Sequence, residues 1–183
     1  VDKTVNLNKL INKQKLTIGV LSDTHNQLND IVTNSLLNCD AIIHAGDIGD
    51  ATVLNQLKKH AEHVFPVRGN NDIEEKWPAH DLPVLADIPD NLELTFDNQI
   101  ISVTHGHQFN KSETRHDKLR NQFPRSDIIV YGHSHRMVCD KQQQPWVINP
   151  GAGGYTRTFG GASCMIMDYT NNTWNIKQFR LDE

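Results

Sequence analysis

An α/β fold, built from two mixed β-sheets packed face to face with helices outside them, is the class this chain predicts. Two observations carry the prediction. Over residues 16–72 short apolar runs alternate with helical periodicity, the pattern of parallel strands joined by right-handed crossovers. The second half is rich in strand patterns with few helices between them, which two packed sheets accommodate.

The first run, Leu16-Thr17-Ile18-Gly19-Val20-Leu21-Ser22-Asp23, is short and apolar enough to be buried on both faces; Thr24-His25-Asn26 follow it. Leu28, Ile31, Val32, Ser35 and Leu36 then recur at three- and four-residue steps, which predicts a helix. A second run, from Asp40 to Asp47, again stops at a carboxylate. The helix after it carries Val53, Leu54 and Leu57 and closes on Lys58-Lys59-His60, which suits the negative pole of a helix dipole. The third run, His63 to Asn70, leads into Asn71-Asp72, and residues 73–90, with Pro78, Pro83 and Pro89, read as irregular. Asp97-Asn98-Gln99 parts the alternating runs Leu92–Phe96 and Ile100–Thr104, so these form a hairpin. A helix from Ser112 to Phe123 precedes the run Asp127–Tyr131. Three more strands follow at Trp146–Asn149, Ala162–Asp168 and Trp174–Arg180. Residues 1–15 are polar and weakly periodic and read as a loosely held N-terminal extension, with a single domain over 16–183.

At 183 residues the chain suits one domain with a full core. The net charge of −4 is spread without a basic stripe, so no nucleic-acid footprint is expected. No apolar run approaches a membrane span of roughly 18 residues. Cys39, Cys139 and Cys164 are few, odd in number and far apart. They argue against a disulfide framework or a thiolate zinc site and favour a reducing compartment, so the expected location is cytoplasmic. If the chain forms a homo-oligomer, exposed edges in residues 73–90 and the last strand are where contacts are expected.

The chemistry gathers where strands stop. In Gly132-His133-Ser134-His135, side chains at i and i+2 would project to the same side of extended backbone, so both imidazoles can reach one pocket. Other strand ends supply Asp23 and His25, Asp47 after Gly46, Asn70 after Gly69, and His105. In open α/β sheets the carboxyl ends of parallel strands form the ligand-binding edge. Any one donor alone reads as a capping aspartate or an incidental histidine; seven together exceed one tetrahedral site. They suit two adjacent divalent ions with room for water and substrate, and a carboxylate with two oxygens can serve both. Imidazole, carboxylate and amide donors without thiolate fit Mn²⁺, Fe, Co²⁺, Ni²⁺ or Zn²⁺ and fit Ca²⁺ poorly. Formal charge leans toward a phosphodiester. Two dications, two aspartates and one hydroxide leave a single positive charge, which a diester monoanion neutralises and a monoester dianion overshoots.

The ordered set Asp-x-His, Gly-Asp, Gly-Asn-Asn-Asp, His-Gly-His and Gly-His-Ser-His resembles the calcineurin-like metallophosphoesterase superfamily. Within it, the small bacterial and archaeal phosphodiesterases are most similar, from Leu16 to the C-terminus. The resemblance implies a four-layer α/β/β/α sandwich. It implies one metal on Asp23, His25, Asp47 and His135 and another on Asp47, Asn70, His105 and His133, with Asp47 shared. Mn²⁺ is the expected ion. The implied activity is phosphodiester hydrolysis by metal-activated hydroxide, with the phosphoryl oxygens oriented for in-line attack and no covalent protein nucleophile. Two other readings stay open on the same fold: a phosphomonoesterase, and a protein-binding scaffold like the retromer subunit that resembles these enzymes. The complete donor set favours an enzyme, and the short loops leave little material for a peptide groove.

Three positions depart from the family pattern. Many members carry a histidine after the motif asparagine, where this chain has Asn71, a substrate-contact candidate that cannot act as an acid. A preference for low-pKa leaving groups follows, or protonation by another group, for which His107 is the candidate. Asn26 stands where relatives usually have glycine and reads as the start of the next helix. Ala152 replaces a common serine. Asp47, Asn70 and His107 are thus the candidate catalytic residues, and Asn71, His107 and Arg157 the substrate contacts. His44 faces away from Asp47 and reads as structural. His60, His63, His80 and His116 read as surface or helix-end residues.

Overall fold

Alternation within the strands decides the layering. The computed structural model describes residues 2–11, 13–109 and 111–181. One mixed sheet has six strands in the order β1 (Lys3–Asn6), β5 (Asn91–Phe96), β6 (Gln99–Thr104), β7 (Ile128–Val130), β9 (Trp146–Pro150) and β8 (Met137–Asp140). The other has five, in the order β11 (Thr173–Arg180), β10 (Ser163–Thr170), β2 (Leu16–Leu21), β3 (Ala41–His44) and β4 (His63–Pro66). Ile18, Val20, Ala41 and Ile43 of the second sheet pack against Leu92, Leu94, Ile101, Val103, Ile128, Val130 and Ile148 of the first. The neighbouring residues point outward. Leu21, Ile42, Cys164 and Ile166 meet the helical side formed by α1 (Asp30–Ser35), α2 (Ala51–Leu57) and α3 (Leu82–Ala86). On the far face Ile129, Tyr131 and Val147 meet Leu119 and Phe123 of α4 (Ser112–Gln122) and its C-terminal turn. The layers therefore run helix, sheet, sheet, helix, as expected.

Parallel pairing of β2 with β3 and of β3 with β4 places Leu21, His44 and Pro66 side by side, so the loops after them leave from one edge. The parallel pairs β6–β7 and β7–β9 do the same for the first sheet. The β5–β6 hairpin forms as its alternation requires, with Phe96 opposite Gln99.

Four expectations need correction. Residues 1–15 are not a loosely held extension where the structure describes them: Lys3–Asn6 pairs in parallel with β5, and Leu7 and Ile11 are buried in the inter-sheet core. Burying one such side chain contributes about 2 kcal/mol, enough to dock a short polar segment. Strand β8 was not expected; its half-buried residues carry little periodic signal. Residues 73–90 hold a single 3₁₀ turn, Ala79–Asp81, and then α3, with Pro83 in the helix's first turn, where its missing N–H costs nothing. Helix α1 is capped by Asn29, whose Oδ1 accepts from the Ile31 N–H at 2.9 Å, so Asn26 does not start it. Asn26 has φ 70°. Asparagine tolerates that left-handed conformation better than most residues.

Candidate metal centre

Each predicted donor sits in the first residues beyond a strand, and the backbone there is unusual. Asp23, His25, Asp47, His133 and His135 all have φ between 46° and 66°. A non-glycine residue in that region costs about 1–2 kcal/mol, and such outliers gather where the surroundings impose a geometry. For His133 and His135 this corrects the extended-backbone reading. The two rings do face one site, but through two left-handed turns, and they part company inside it.

His135 joins the first strand's residues. Its Nδ1–H donates to the Thr156 carbonyl at 3.0 Å, which leaves the Nε2 lone pair facing inward. Nε2 lies 3.2 Å from His25 Nε2, 3.3 Å from Asp23 Oδ1 and 3.1 Å from Arg157 Nη2. His133 turns the other way, with Nδ1 3.0 Å from Asn70 Oδ1, and His105 Nε2 reaches the same oxygen at 3.2 Å. His105 is fixed by its Nδ1–H, which donates to the Ala45 carbonyl at 2.8 Å. Asp47 stands between the groups: Oδ1 is 3.4 Å from His105 Nε2, and Oδ2 is 3.8 Å from His25 Nε2.

Among the described residues, two sets of candidate ligand atoms each lie within 4.8 Å of one another: Asp23, His25 and His135, and Asp23, Asp47 and His105. The first matches three of the four residues expected for one ion. The second draws Asp23 toward Asp47 and His105 as well, so Asp23 is as central as Asp47.

The electrostatics suit a cation. Asp23 is fully buried and neither carboxylate oxygen has a hydrogen-bond partner among the described residues. Burial pushes its carboxyl up to about 7. Burial acts on Asp47 in the same sense, but contact with the His105 ring and its charge, together with the Asn71 donors, outweighs it and holds Asp47 well below the usual carboxylate range. Burial lowers His133 and His135 to about 4, with His105 and Arg157 adding charge repulsion respectively, so both rings are neutral at pH 7. His105 is raised: burial opposes its charge, but the contact with Asp47 and the charge of Asp23 prevail. Imidazoles, an amide oxygen and two buried carboxylates converging, one with unsatisfied oxygens, fit divalent ions of the transition series.

The remaining candidates surround this cluster. Asn71 binds Asp47 twice, by its backbone N–H to Oδ1 at 2.8 Å and by Nδ2 to Oδ2 at 2.6 Å, and its Oδ1 accepts from Lys76. It thus orients Asp47, a role beyond the expected substrate contact. His107 is exposed, 5.7 Å ring to ring from His105 and 6.3 Å from His133, beside the ligand set. Burial of part of the ring and the charge of His105 lower its pKa. Arg157 is exposed on the loop that holds His135. His44 donates from Nε2 to Thr24 Oγ1 at 2.9 Å, because the hydroxyl hydrogen goes to the Ile48 carbonyl. His116 is more than a helix-surface residue: its ring bridges Asp140, at 2.8 Å, and the Tyr131 hydroxyl, at 3.2 Å.

Sequence reasoning missed the residues that hold the loops. Buried Asp72 accepts from the backbone N–H groups of Ile48, Gly49 and Gly69 and from Trp77 Nε1, tying the loop that carries Asp47 to the one that carries Asn70. Asn149 donates to the Gly132 carbonyl at 2.7 Å and to Ser134 Oγ at 3.1 Å, bracing the two-histidine loop. The signal for Asp72 was its place three residues after a glycine turn, where aspartate commonly bonds nearby backbone.

A two-sheet sandwich with paired carboxylates and imidazoles along one sheet edge defines a class of metal-dependent hydrolase fold. A family model described as the calcineurin-like phosphoesterase superfamily domain matches residues 16–172, and the chain belongs to that family. It is 28% identical over 148 residues to the phosphodiesterase MJ0936 of Methanocaldococcus jannaschii, covering 74% of this chain and 83% of that one. It is 27% identical over 170 residues to the probable metallophosphoesterase YsnB of Bacillus subtilis, covering 88% and 89%. Among solved structures, a single mutant of Vps29 from Entamoeba histolytica superposes with a TM-score of 0.68 at 16% identity, covering 91% of this chain and all of that one. A conserved protein from Streptococcus pneumoniae, described as a predicted phosphoesterase, gives 0.64 at 20% identity over 92% and 91%. At those identities the likeness is one of fold.

Proposed function

We propose that this chain is a dinuclear metal-dependent phosphodiesterase. The observation that carries the reading is the placement of Asp47, with one carboxylate oxygen toward His105 and the other toward His25, between two groups of donors. Asp23, His25, Asp47 and His135 would hold one divalent ion, and Asp47, Asn70, His105 and His133 the other, with Mn²⁺ the expected metal. Bound ions of this kind supply Lewis acidity and a hydroxide at neutral pH.

The chain's own residues do the rest. Thr156 and Ala45 present His135 and His105 in the tautomer whose Nε2 faces the centre. Asn71 fixes both oxygens of Asp47. Arg157 stands where it can donate to a phosphoryl oxygen and offset developing negative charge. Burial of part of the ring and the charge of His105 lower the pKa of His107, which favours its N–H as a hydrogen-bond donor to the substrate over its use as an acid. With Asn71 in place of a histidine, good leaving groups should react fastest.

The test is hydrolysis with Mn²⁺, comparing bis(p-nitrophenyl) phosphate with p-nitrophenyl phosphate. The expected result is faster cleavage of the diester. Activity on the monoester alone would replace this reading with the phosphomonoesterase. Absence of both activity and metal binding would replace it with the scaffold.

A further inference from the structure

Beside Asn70 lies a cleft of about 440 Å³, lined among others by Arg68, Ile73, Asp90, His107 and Gln108. It abuts a second hollow of about 340 Å³ that shares Arg68 and Ile73 and carries Glu74 and Glu75 at its rim. Arg68 is fixed in place by its backbone N–H, which donates to Pro89 at 2.9 Å, and by Nη2, which donates to the Ala86 carbonyl at 3.1 Å. Its buried Nε–H has no acceptor among the described residues. Asp90 follows Pro89 directly and is exposed. Arg68 therefore lines one cleft beside Asn70 together with the exposed carboxylate of Asp90 and the buried one of Asp72.

Resting on the diesterase reading, we propose that this cleft holds the retained arm of the substrate, and that the arm is an uncharged, hydroxyl-rich group of glyceryl to sugar size. Asp90 accepts hydrogen bonds from the hydroxyls, Arg68 and Gln108 donate to hydroxyl oxygens, and Ile73 covers one apolar edge. An anionic arm, such as one ending in a second phosphate or a carboxylate, meets Asp90, Glu74 and Glu75 against a single arginine and is repelled. A methyl arm leaves the cleft's polar groups unused. Sites built to hydrogen-bond a substrate hydroxyl discriminate strongly against analogues without it.

The experiment uses the Mn²⁺-loaded protein and p-nitrophenyl phosphodiesters that share one leaving group and differ in the other arm: methyl, glyceryl and carboxyethyl. The expected kcat/KM for the glyceryl arm exceeds that for methyl by about tenfold, with carboxyethyl lowest. Asp90→Ala is expected to reduce the glyceryl-to-methyl ratio to about twofold, mainly through KM for the glyceryl substrate. Asp90→Lys is expected to raise carboxyethyl above methyl. Equal kcat/KM for the three arms, or ratios unchanged by both substitutions, overturns the arm assignment and leaves the diesterase standing. Failure to cleave any of the three with metal bound overturns the diesterase reading and the arm assignment with it.

Discussion

Asp72→Ala should unfasten the metal centre without touching a ligand. Its carboxylate is buried and accepts four protein donors, at 3.0 Å from the Ile48, Gly49 and Trp77 nitrogens and 2.8 Å from that of Gly69. Truncation leaves those donors without a protein partner. Even at about 1 kcal/mol each, the lower end for an unsatisfied buried group, the loss is about 4 kcal/mol. For a domain of this size that corresponds to a fall in Tm of about 8–16 °C. Asp72→Asn keeps one acceptor oxygen and should lose about half as much. The assay is urea unfolding in excess chelator, so that altered metal binding does not enter the stability. A loss under about 1 kcal/mol for the alanine variant would refute the clamp. So would an asparagine variant no more stable than the alanine one.

Three further outcomes can be checked. A Cβ on Gly69 would overlap Asp47, lying 2.8 Å from its Cγ and closer still to Oδ1; Gly69→Ala should therefore abolish metal uptake by calorimetry while circular dichroism stays that of the folded protein. Asp47→Ala should lose both ions and His135→Ala mainly one, read as metal per chain after dialysis; equal loss from the two variants would count against the division of ligands. His44, buried, has its pKa lowered by burial to about 3. The unfolded chain thus takes up a proton near pH 6.5 that the native one refuses, and His44 contributes a loss of stability as pH falls from 6.5 toward 3, at up to about 1.4 kcal/mol per pH unit. His44→Gln, able to keep the bond to Thr24, should flatten the urea midpoint between pH 7.5 and pH 5 in the metal-free protein; an unchanged slope would exclude this residue as its source.

The strands β2, β3, β7 and β10 were legible because apolar runs bounded by polar residues admit little else, and their ends carried the donors. What the sequence concealed has physical causes. Lys3–Asn6 is mostly polar because it is an edge strand with mostly exposed side chains, and the scattered Val5, Leu7 and Ile11 that dock it on the core make no periodic pattern. β8 is half-buried throughout and follows a loop already claimed by His133 and His135. The left-handed turns at those residues leave no compositional mark, since histidine is not a turn signal, so extended backbone was the natural reading. Asp72 lay inside the motif that was read, but its neighbours Asn70 and Asn71 drew the chemistry. An aspartate that serves backbone N–H groups is indistinguishable in sequence from one that serves a cation.

The buried, unbonded carboxylate of Asp23 makes ion uptake an exchange. Burial raises the pKa of this side chain to about 7, so in the metal-free protein a proton competes for it around neutrality, and a dication must evict that proton before it can use the oxygens. His105, whose pKa is raised by contact with Asp47 and the charge of Asp23 against the opposing effect of burial, pulls in the same direction. Loading therefore acidifies the medium, and the heat measured for it will change with the ionisation enthalpy of the buffer. Affinity measured at one pH is a property of that pH. A modest drop in acidity around neutrality works on this protein as a rise in free metal would.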